Sequence, residues 1–214
     1  TVSHVGPMTR TVSDCALMLT VLAGFDPRDW HALPAEARDY RVGLEDGVAG
    51  LRVAFSPCLG YVEVDPEVAA AVAAAVAVLV DLGMRVEAVD PGFADPREVF
   101  DRHWYAGAAN ALASLPAEHW ARLDPGLREV AEAGREIPLL DYLAAVNERG
   151  RLGQRLRLFH EDYDLLVTPS LPIPAFAAGQ ELAEPTSQRR WPDWTPFSYP
   201  FNLSQQPAIS VPCG

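Results

Sequence analysis

Residues 51–89, LRVAFSPCLGYVEVDPEVAAAVAAAVAVLVDLGMRVEAV, decide the fold of this chain. The stretch opens with the apolar run LRVAFS at 51–56 and closes with MRVEAV at 84–89, and such runs are typical of β-strands. Enough residues lie between them for the helical crossover that two parallel neighbouring strands require. The stretch therefore predicts a β-α-β unit with both strands parallel in one sheet.

The ends of the connecting helix are marked by residues with strong positional preferences. Asp65 suits the position before a helix, and Pro66 suits its first turn. Gly83 favours termination just after Leu82. The helix between them consists almost entirely of Ala and Val, which we interpret as burial on more than one face.

Helices are also predicted on both sides of this unit. Upstream, 9–24 has apolar residues at helical spacing, and one stripe would hold Cys15, Leu17, Met18, Val21 and Leu22. A polar connecting segment follows over 26–50. Downstream, 95–162 lacks a strand pattern, so we expect a helical layer outside the sheet, with segments near 96–114, 117–122, 125–134 and 139–162.

The last part of the chain returns to the strand pattern. The run DLLVT at 164–168 predicts a buried strand, and 207–211 predicts another. The loop over 175–200 between them is rich in Pro and Trp, and loops of such length are usually functional or pack against a missing part of the protein. The expected fold class is α/β, a mixed β-sheet that contains the β-α-β unit and is covered by helices. Its parts are 1–94 with the first helix and the β-α-β unit, 95–162 with the helical layer, and 163–214 with the late strands and the loop.

The charged residues restrict the chemistry of the chain. All 17 basic residues are arginine, so a lysine Schiff base, a P-loop lysine and a Ser-Lys pair are excluded within this polypeptide. The formal charge of -12 repels phosphates, and we expect no nucleic-acid partner. The longest apolar run, Val68–Val80, is shorter than the roughly 20 residues that a membrane span needs, so no membrane contact is expected. Three scattered cysteines indicate a reducing, cytoplasmic compartment.

Two stretches supply candidate binding residues. Ligands of α/β sheets lie beyond the carboxyl ends of strands, where Thr168 and Ser170 follow a predicted strand. Phe197, Tyr199 and Asn202 in the long loop add the aromatic and polar groups that a small-molecule pocket needs. The alternative is that the aromatic rings only pack the loop onto the sheet while Asn202 caps a short helix. The sequence pattern leaves both open.

Three further stretches resemble a known family. GPMTRTVSDCALML at 6–19 is similar to the segment that follows the Gly/Ser-rich signature of that family. YDLLVTPSLPIPAF at 163–176 resembles its late strand and proline loop, and FNLSQQPAISVPCG at 201–214 resembles the strand near its C-terminal region. The family is that of the amidase signature enzymes, which cleave carboxamides. The order and approximate spacing also fit, so the resemblance covers nearly the whole chain.

The resemblance implies a Ser nucleophile, a bridging Ser in a cis peptide, a Lys base and an oxyanion hole of Gly-rich backbone amides. No position of this chain matches them, so none of its residues is assigned a catalytic role, and neither a metal nor a cofactor is expected. A serine hydroxyl needs a base to accept its proton, and arginine stays protonated. Gln205 and Gln206 also depart from the small residue or Gly that many members have before the proline.

We therefore expect the C-terminal part of an amidase-signature protein that acts on a small-molecule amide, with the chain alone inactive. The chain begins with Thr1 instead of Met, which agrees with a piece of a longer protein. Two alternatives stay open. One is the glutamyl-tRNA(Gln) amidotransferase, as its A subunit; the other is a truncated, non-catalytic chain that binds a partner through an exposed apolar surface. The sequence also leaves open whether the protein forms a homodimer.

Overall fold

The computed structural model describes residues 2–29, 31–32, 34, 36–183 and 190–214. Contacts divide the chain into two units, Ser3–Val48 and Ala49–Gly214, and Val2 belongs with the second of them. Part of the loop predicted over 175–200 lies outside the described residues. No helix in the described ranges is long and apolar enough to span a membrane.

The described residues of the unit Ser3–Val48 contain one helix, α1, at Val12–Leu22. Its N-terminus is capped by Thr11, whose hydroxyl oxygen accepts a hydrogen bond from the Asp14 N–H at 3.1 Å. The helix predicted over 9–24 is thereby confirmed. The predicted apolar stripe of this helix is not buried within the unit. Ala16 is the buried residue of α1, and four stripe residues are exposed: Leu17, Met18, Val21 and Leu22.

The β-α-β unit is confirmed in the second unit. Strand β1 is Arg52–Phe55, helix α2 is Pro66–Asp81, and strand β2 is Arg85–Ala88. The strands are parallel and in register from Arg52↔Arg85 onward. As the sequence predicts, the carboxylate of Asp65 caps α2 by accepting the Glu67 N–H at 2.8 Å.

A third strand completes the described sheet. Strand β3, Leu165–Val167, pairs parallel to β1 on the side away from β2, so the strand order is β2-β1-β3. The central strand β1 is the best protected, with Val53 and Ala54 fully buried. The three described strands are all parallel, so an antiparallel member of the expected mixed sheet is not among them.

The predicted helical layer is confirmed in all four segments. Its helices are α3 at Arg97–Ala111, α4 at Ala117–Trp120, α5 at Pro125–Arg135 and α6 at Leu139–Asp162. A short 3-10 helix at Trp191–Trp194 and helix α7 at Tyr199–Ser204 follow later in the chain. The apolar cluster of this unit joins α3, α6 and α7, and its buried members are Val2, Phe100, Leu152, Leu156, Tyr199 and Leu203.

Two expectations are wrong. Residues 207–211 form no strand, because an extended segment becomes a strand only when a neighbour accepts and donates backbone hydrogen bonds, and no described strand does so here; Ile209 and Val211 are exposed. The Ala/Val helix α2 is not buried on more than one face, since among its residues only Val72 is buried. Its composition gives it helix propensity instead of broad packing.

Candidate functional site

Three loops meet at the carboxyl edge of the sheet, after β1, β2 and β3. Ser56 follows β1, is fully buried, and donates its backbone N–H to the carbonyl oxygen of Val167 at 3.0 Å. Its hydroxyl donates to Oδ1 of Asp90, after β2, at 2.5 Å and accepts the N–H of Leu59 at 2.9 Å. One serine therefore fixes the first turn of the β1–α2 loop to both neighbouring strands.

Tyr61 links the β1–α2 loop to the late part of the chain. Its hydroxyl donates to the carbonyl oxygen of Pro196 at 3.4 Å, and its ring centroid lies 6.1 Å from that of Phe93. Burial, helped by the negative charge of Asp95, raises the pKa of the Tyr61 hydroxyl above its ordinary value. The hydroxyl is therefore a hydrogen-bond donor throughout the neutral range.

Asp95, which follows β2 in the chain, makes a corresponding connection. Its Oδ1 accepts the hydroxyl of Tyr199 at 2.7 Å and the backbone N–H of Arg97 at 3.0 Å. Burial first, and then this hydrogen bond, raise the pKa of Tyr199 far above the neutral range. The carboxylate thus joins the start of α3 to the start of α7.

Thr168 and Ser170 lie where the sequence predicts, directly after β3. Thr168 is half-buried, and its hydroxyl donates to the carbonyl oxygen of Pro169 at 2.8 Å. Ser170 is exposed, with its Oγ 2.9 Å from the Oγ of Ser210. Both hydroxyls retain lone pairs that can accept a hydrogen bond from an approaching amide N–H.

Phe197, Tyr199 and Asn202 lie on the segment at and before α7. Phe197 and Tyr199 are each only 3% exposed, and the Tyr199 ring stacks on Phe100 of α3 at a centroid distance of 5.4 Å. The aromatic segment therefore packs against the helical layer. Asn202 lies within α7, whose N-cap is Ser198, so the alternative role of Asn202 as a cap is wrong. The role of these residues in a pocket wall stays a prediction.

The sequence pattern did not identify four residues of this edge: Ser56, Tyr61, Asp90 and Asp95. The signal that could have found them is the rule already applied to Thr168, since Ser56 ends the predicted strand 51–56 and the others come after the predicted strands 51–56 and 84–89. Their polar side chains carry no further signal because none belongs to a recognisable motif. Together they tie the loops after β1 and β2 to the segment 195–199.

The arrangement supplies hydrogen-bond donors and acceptors rather than a reactive centre. Its hydroxyls come from Ser56, Tyr61, Thr168, Ser170 and Tyr199, and none has a neighbouring lysine, because the sequence contains no lysine. The described residues contain no group of three His, Cys, Asp or Glu side chains placed to hold a metal ion. Of these hydroxyls, those of the half-buried Thr168 and the exposed Ser170 can contact a polar substrate, whereas Ser56 and Tyr199 are buried.

Similarity to known proteins extends along the entire chain. Residues 1–214 match the family model described as Amidase. The chain is 35% identical over 216 residues to an acylamidase of Rhodococcus erythropolis, an alignment that covers 98% of this chain and 45% of the relative. It is 31% identical over 241 residues to the A subunit of the Gloeobacter violaceus glutamyl-tRNA(Gln) amidotransferase, which covers 99% of this chain and 48% of that relative.

A solved structure shows the same fold. The crystal structure of a bacterial aryl acylamidase of the amidase signature family superposes with a TM-score of 0.80 at 27% identity, over 93% of this chain and 44% of that chain. The chain thus spans slightly less than half the length of the proteins that it matches, and the matched part is C-terminal in the curated relatives.

Proposed function

The chain belongs to the amidase family, and on that premise we propose that it is the C-terminal part of an amidohydrolase that cleaves carboxamides. The observation that carries the proposal is the match of all residues 1–214 to the family model. The similarity to an acylamidase and to an aryl acylamidase structure supports small or aryl amides as the substrate class. The reducing compartment indicated by three unpaired cysteines supports a cytoplasmic enzyme.

In this proposal the chain provides one wall of the acyl or amide pocket. Thr168 and Ser170 place hydroxyls at the carboxyl edge of the sheet, where either can accept the substrate N–H. Asn202, which lies close to the aromatic segment in sequence, contributes a side-chain amide to the wall. Phe197 and Tyr199 hold the wall in shape, because their rings are buried against protein.

The proton transfers of the reaction are assigned outside this chain. A serine hydroxyl attacks a carboxamide only if a neighbouring base takes its proton. The resemblance implies a lysine for that base, and this sequence holds arginine at all of its 17 basic positions. Arginine stays protonated at neutral pH, so we propose that the chain alone does not hydrolyse amides.

The complete protein encoded by the full reading frame is the material for the first test. It should release amine from at least one member of a panel of aliphatic amides, anilides and amino-acid amides, measured as ammonia or aniline. Replacement T168V or S170A should lower kcat/KM about three- to tenfold, the cost of one lost hydrogen bond to the substrate.

The matched control for these variants is S114A, in an exposed turn between α3 and α4. It should leave kcat/KM unchanged. Loss of activity in S114A equal to that in T168V would show a general effect on folding and would contradict the wall assignment. A complete protein inert to every amide of the panel would contradict the proposed reaction.

The similarity to an amidotransferase supports a second candidate function. In that case the complete protein would release ammonia from glutamine for transfer within a complex, and it would need partner proteins. Assay of glutamine hydrolysis and of anilide hydrolysis by the isolated complete protein separates the two. Anilide turnover without partners supports the amidase; glutamine turnover that appears only with co-purified partners supports the amidotransferase.

A further inference from the structure

The segment 190–204 carries three of the five predicted wall residues but has little regular structure of its own. It contains a 3-10 helix of 4 residues and helix α7 of 6 residues. Helices this short are not stable without tertiary contacts. The position of Phe197, Tyr199 and Asn202 must therefore be fixed by contacts to other elements.

Arg97, in the first turn of α3, makes several of these contacts. Its Nε donates to Oδ1 of Asp101 at 2.8 Å, and its guanidinium also pairs with the carboxylate of Asp193 in the 3-10 helix. Its backbone N–H donates to Asp95, which in turn accepts the hydroxyl of Tyr199. One residue is thus connected to the segment at two points, Asp193 directly and Tyr199 through Asp95.

Burial makes these contacts strong. The side chains of Arg97 and Asp193 are 12% and 16% exposed, whereas the pair Arg28–Asp26 elsewhere is 89% and 43% exposed. Exposed ion pairs contribute little because water screens them. Breaking a buried ion pair costs more than breaking an exposed one, and loss of the Arg97 guanidinium removes its ion pairs with both Asp101 and Asp193.

Aromatic contacts limit how far the segment 190–204 can move when the ion pair is lost. Trp191 packs edge-on against Trp104 at 5.5 Å and against Phe100 at 6.3 Å. These contacts do not depend on charge, so they keep the segment near α3 after the ion pair is removed. The expected consequence is a displaced and loosened segment rather than an unfolded protein.

We propose that Arg97 is a positioning residue that latches the segment 190–204 to α3 and so holds the wall of the amide site in place. This role rests on the proposed amidase function for its effect on substrate binding. Its effect on the segment itself is independent of any activity. Arg97 does not touch the substrate. Its side chain acts on the segment through Asp193, whereas its backbone N–H, which bonds Asp95, is kept in every substitution.

The test compares R97Q and R97K with the matched control R102Q in the complete protein. Arg102 lies on the same helix and pairs at 3.8 Å with the exposed Glu98, outside the latch. Two properties are measured. One is the rate of chymotrypsin cleavage after Trp194 and Phe197, which requires local opening of the segment. The other is KM and kcat for the best amide of the panel.

R97Q should increase the cleavage rate at these two sites about tenfold. It should also raise KM about tenfold with a smaller change in kcat, because a displaced wall weakens substrate binding and leaves the reacting groups unchanged. R97K should recover part of both effects, since lysine keeps the charge but not the forked geometry. R102Q should match the wild type in both.

Unchanged cleavage in R97Q would overturn the latch. Faster cleavage with unchanged KM in an active enzyme would overturn the link between the segment and substrate binding. If the wild type turns over no amide, the proposed function fails, and the cleavage rates still decide the latch. Equal loss in R102Q and R97Q would also overturn it, because the effect would then belong to helix α3 in general.

Discussion

Helices α2 and α3 are almost equal in length, 16 and 15 residues, yet they are stabilised in different ways. Helix α2 buries only Val72 among its residues, whereas α3 buries Phe100, His103 and Ala109. The N-cap residue of α2, Asp65, caps the helix with its side chain, whereas the N-cap residue of α3, Pro96, does not, and the Arg97 N–H bonds Asp95 instead. The difference shows that one helix is specified by its own sequence and the other by what it packs against.

The local character of α2 follows from its composition. Alanine has the highest helix propensity, and the cap and the first-turn proline satisfy the start of the helix, so it forms with little burial. Helix α3 has aromatic residues, Gly107 and Asn110, which favour a helix less. Its stability must come from its partners, chiefly α5, α6 and α7.

The largest expected effect is at the crossing of α3 and α5. A Cβ at Gly134 would overlap the backbone carbonyl of Tyr105, with the carbonyl carbon at 2.5 Å and the N atom of Ala106 at 3.1 Å. Backbone atoms cannot move aside as a side chain can. G134A should therefore lower the free energy of unfolding by about 3 kcal/mol or more, measured by urea unfolding.

The matched control is G107A on α3, where an added Cβ meets nothing within 4 Å. It should raise the free energy of unfolding by about 0.5–1 kcal/mol, because alanine restricts the unfolded chain more than glycine does. Equal, small effects of the two variants would contradict the close crossing, and with it the claim that packing specifies α3.

A smaller effect should appear as a pH dependence of the helical layer. His103 donates its Nδ1–H to the carbonyl oxygen of Val99 at 2.8 Å, and its Nε2 is buried without a partner in the described part of the chain. Burial first, and then the charge of Arg149 on α6, lower the pKa of His103, although the contact with Val99 opposes this. Tyr142 of α6 also faces the ring, at 5.4 Å.

Because its pKa is lower in the folded protein, His103 binds a proton more readily when unfolded. Stability should therefore be constant above about pH 6.5 and fall below it, by at most about 1.4 kcal/mol per pH unit. Urea unfolding from about pH 7.5 to about pH 5 measures this slope. H103Q should flatten it and H119Q, an exposed substitution, should not; a slope that survives in H103Q would contradict the assignment.

The smallest of the three effects concerns α2. D65A removes the cap and should lower the free energy of unfolding by about 1 kcal/mol. D81A, at the other end of the same helix, should be neutral or slightly stabilising, because a carboxylate there opposes the helix dipole. If D81A were as destabilising as D65A, helix α2 would owe its stability to tertiary contacts after all.

The same difference between local sequence and packing decides which elements can be predicted from the sequence. The strands 51–56 and 84–89, helix α2 and the four helical segments are encoded by residues a few positions apart, and the structure confirms them. The prediction of a strand at 207–211 is wrong because a strand needs a neighbouring strand to pair with. The sequence of 207–211 does not show whether such a neighbour exists. The burial of α2 is wrong for a related reason, since an apolar composition fits both a buried helix and a strong helix former.

The candidate site is less predictable still. Thr168 and Ser170 can be placed from the sequence because they follow a strand directly. The pairs Ser56–Asp90 and Tyr199–Asp95 join residues 34 and 104 positions apart, and no periodicity of the sequence reports such a contact. The role of Arg97 is likewise invisible in the sequence, because it depends on Asp193 being brought to the start of α3 by the fold.

The most direct test of the proposed function is amide turnover by residues 1–214 alone and by the complete protein, with the same substrate and the same molar concentration. We predict hydrolysis by the complete protein and none above the uncatalysed rate by residues 1–214, because a chain without lysine holds no base for the serine reaction that the family resemblance implies. Turnover by residues 1–214 alone would contradict this prediction, and so would a complete protein that cleaves no carboxamide.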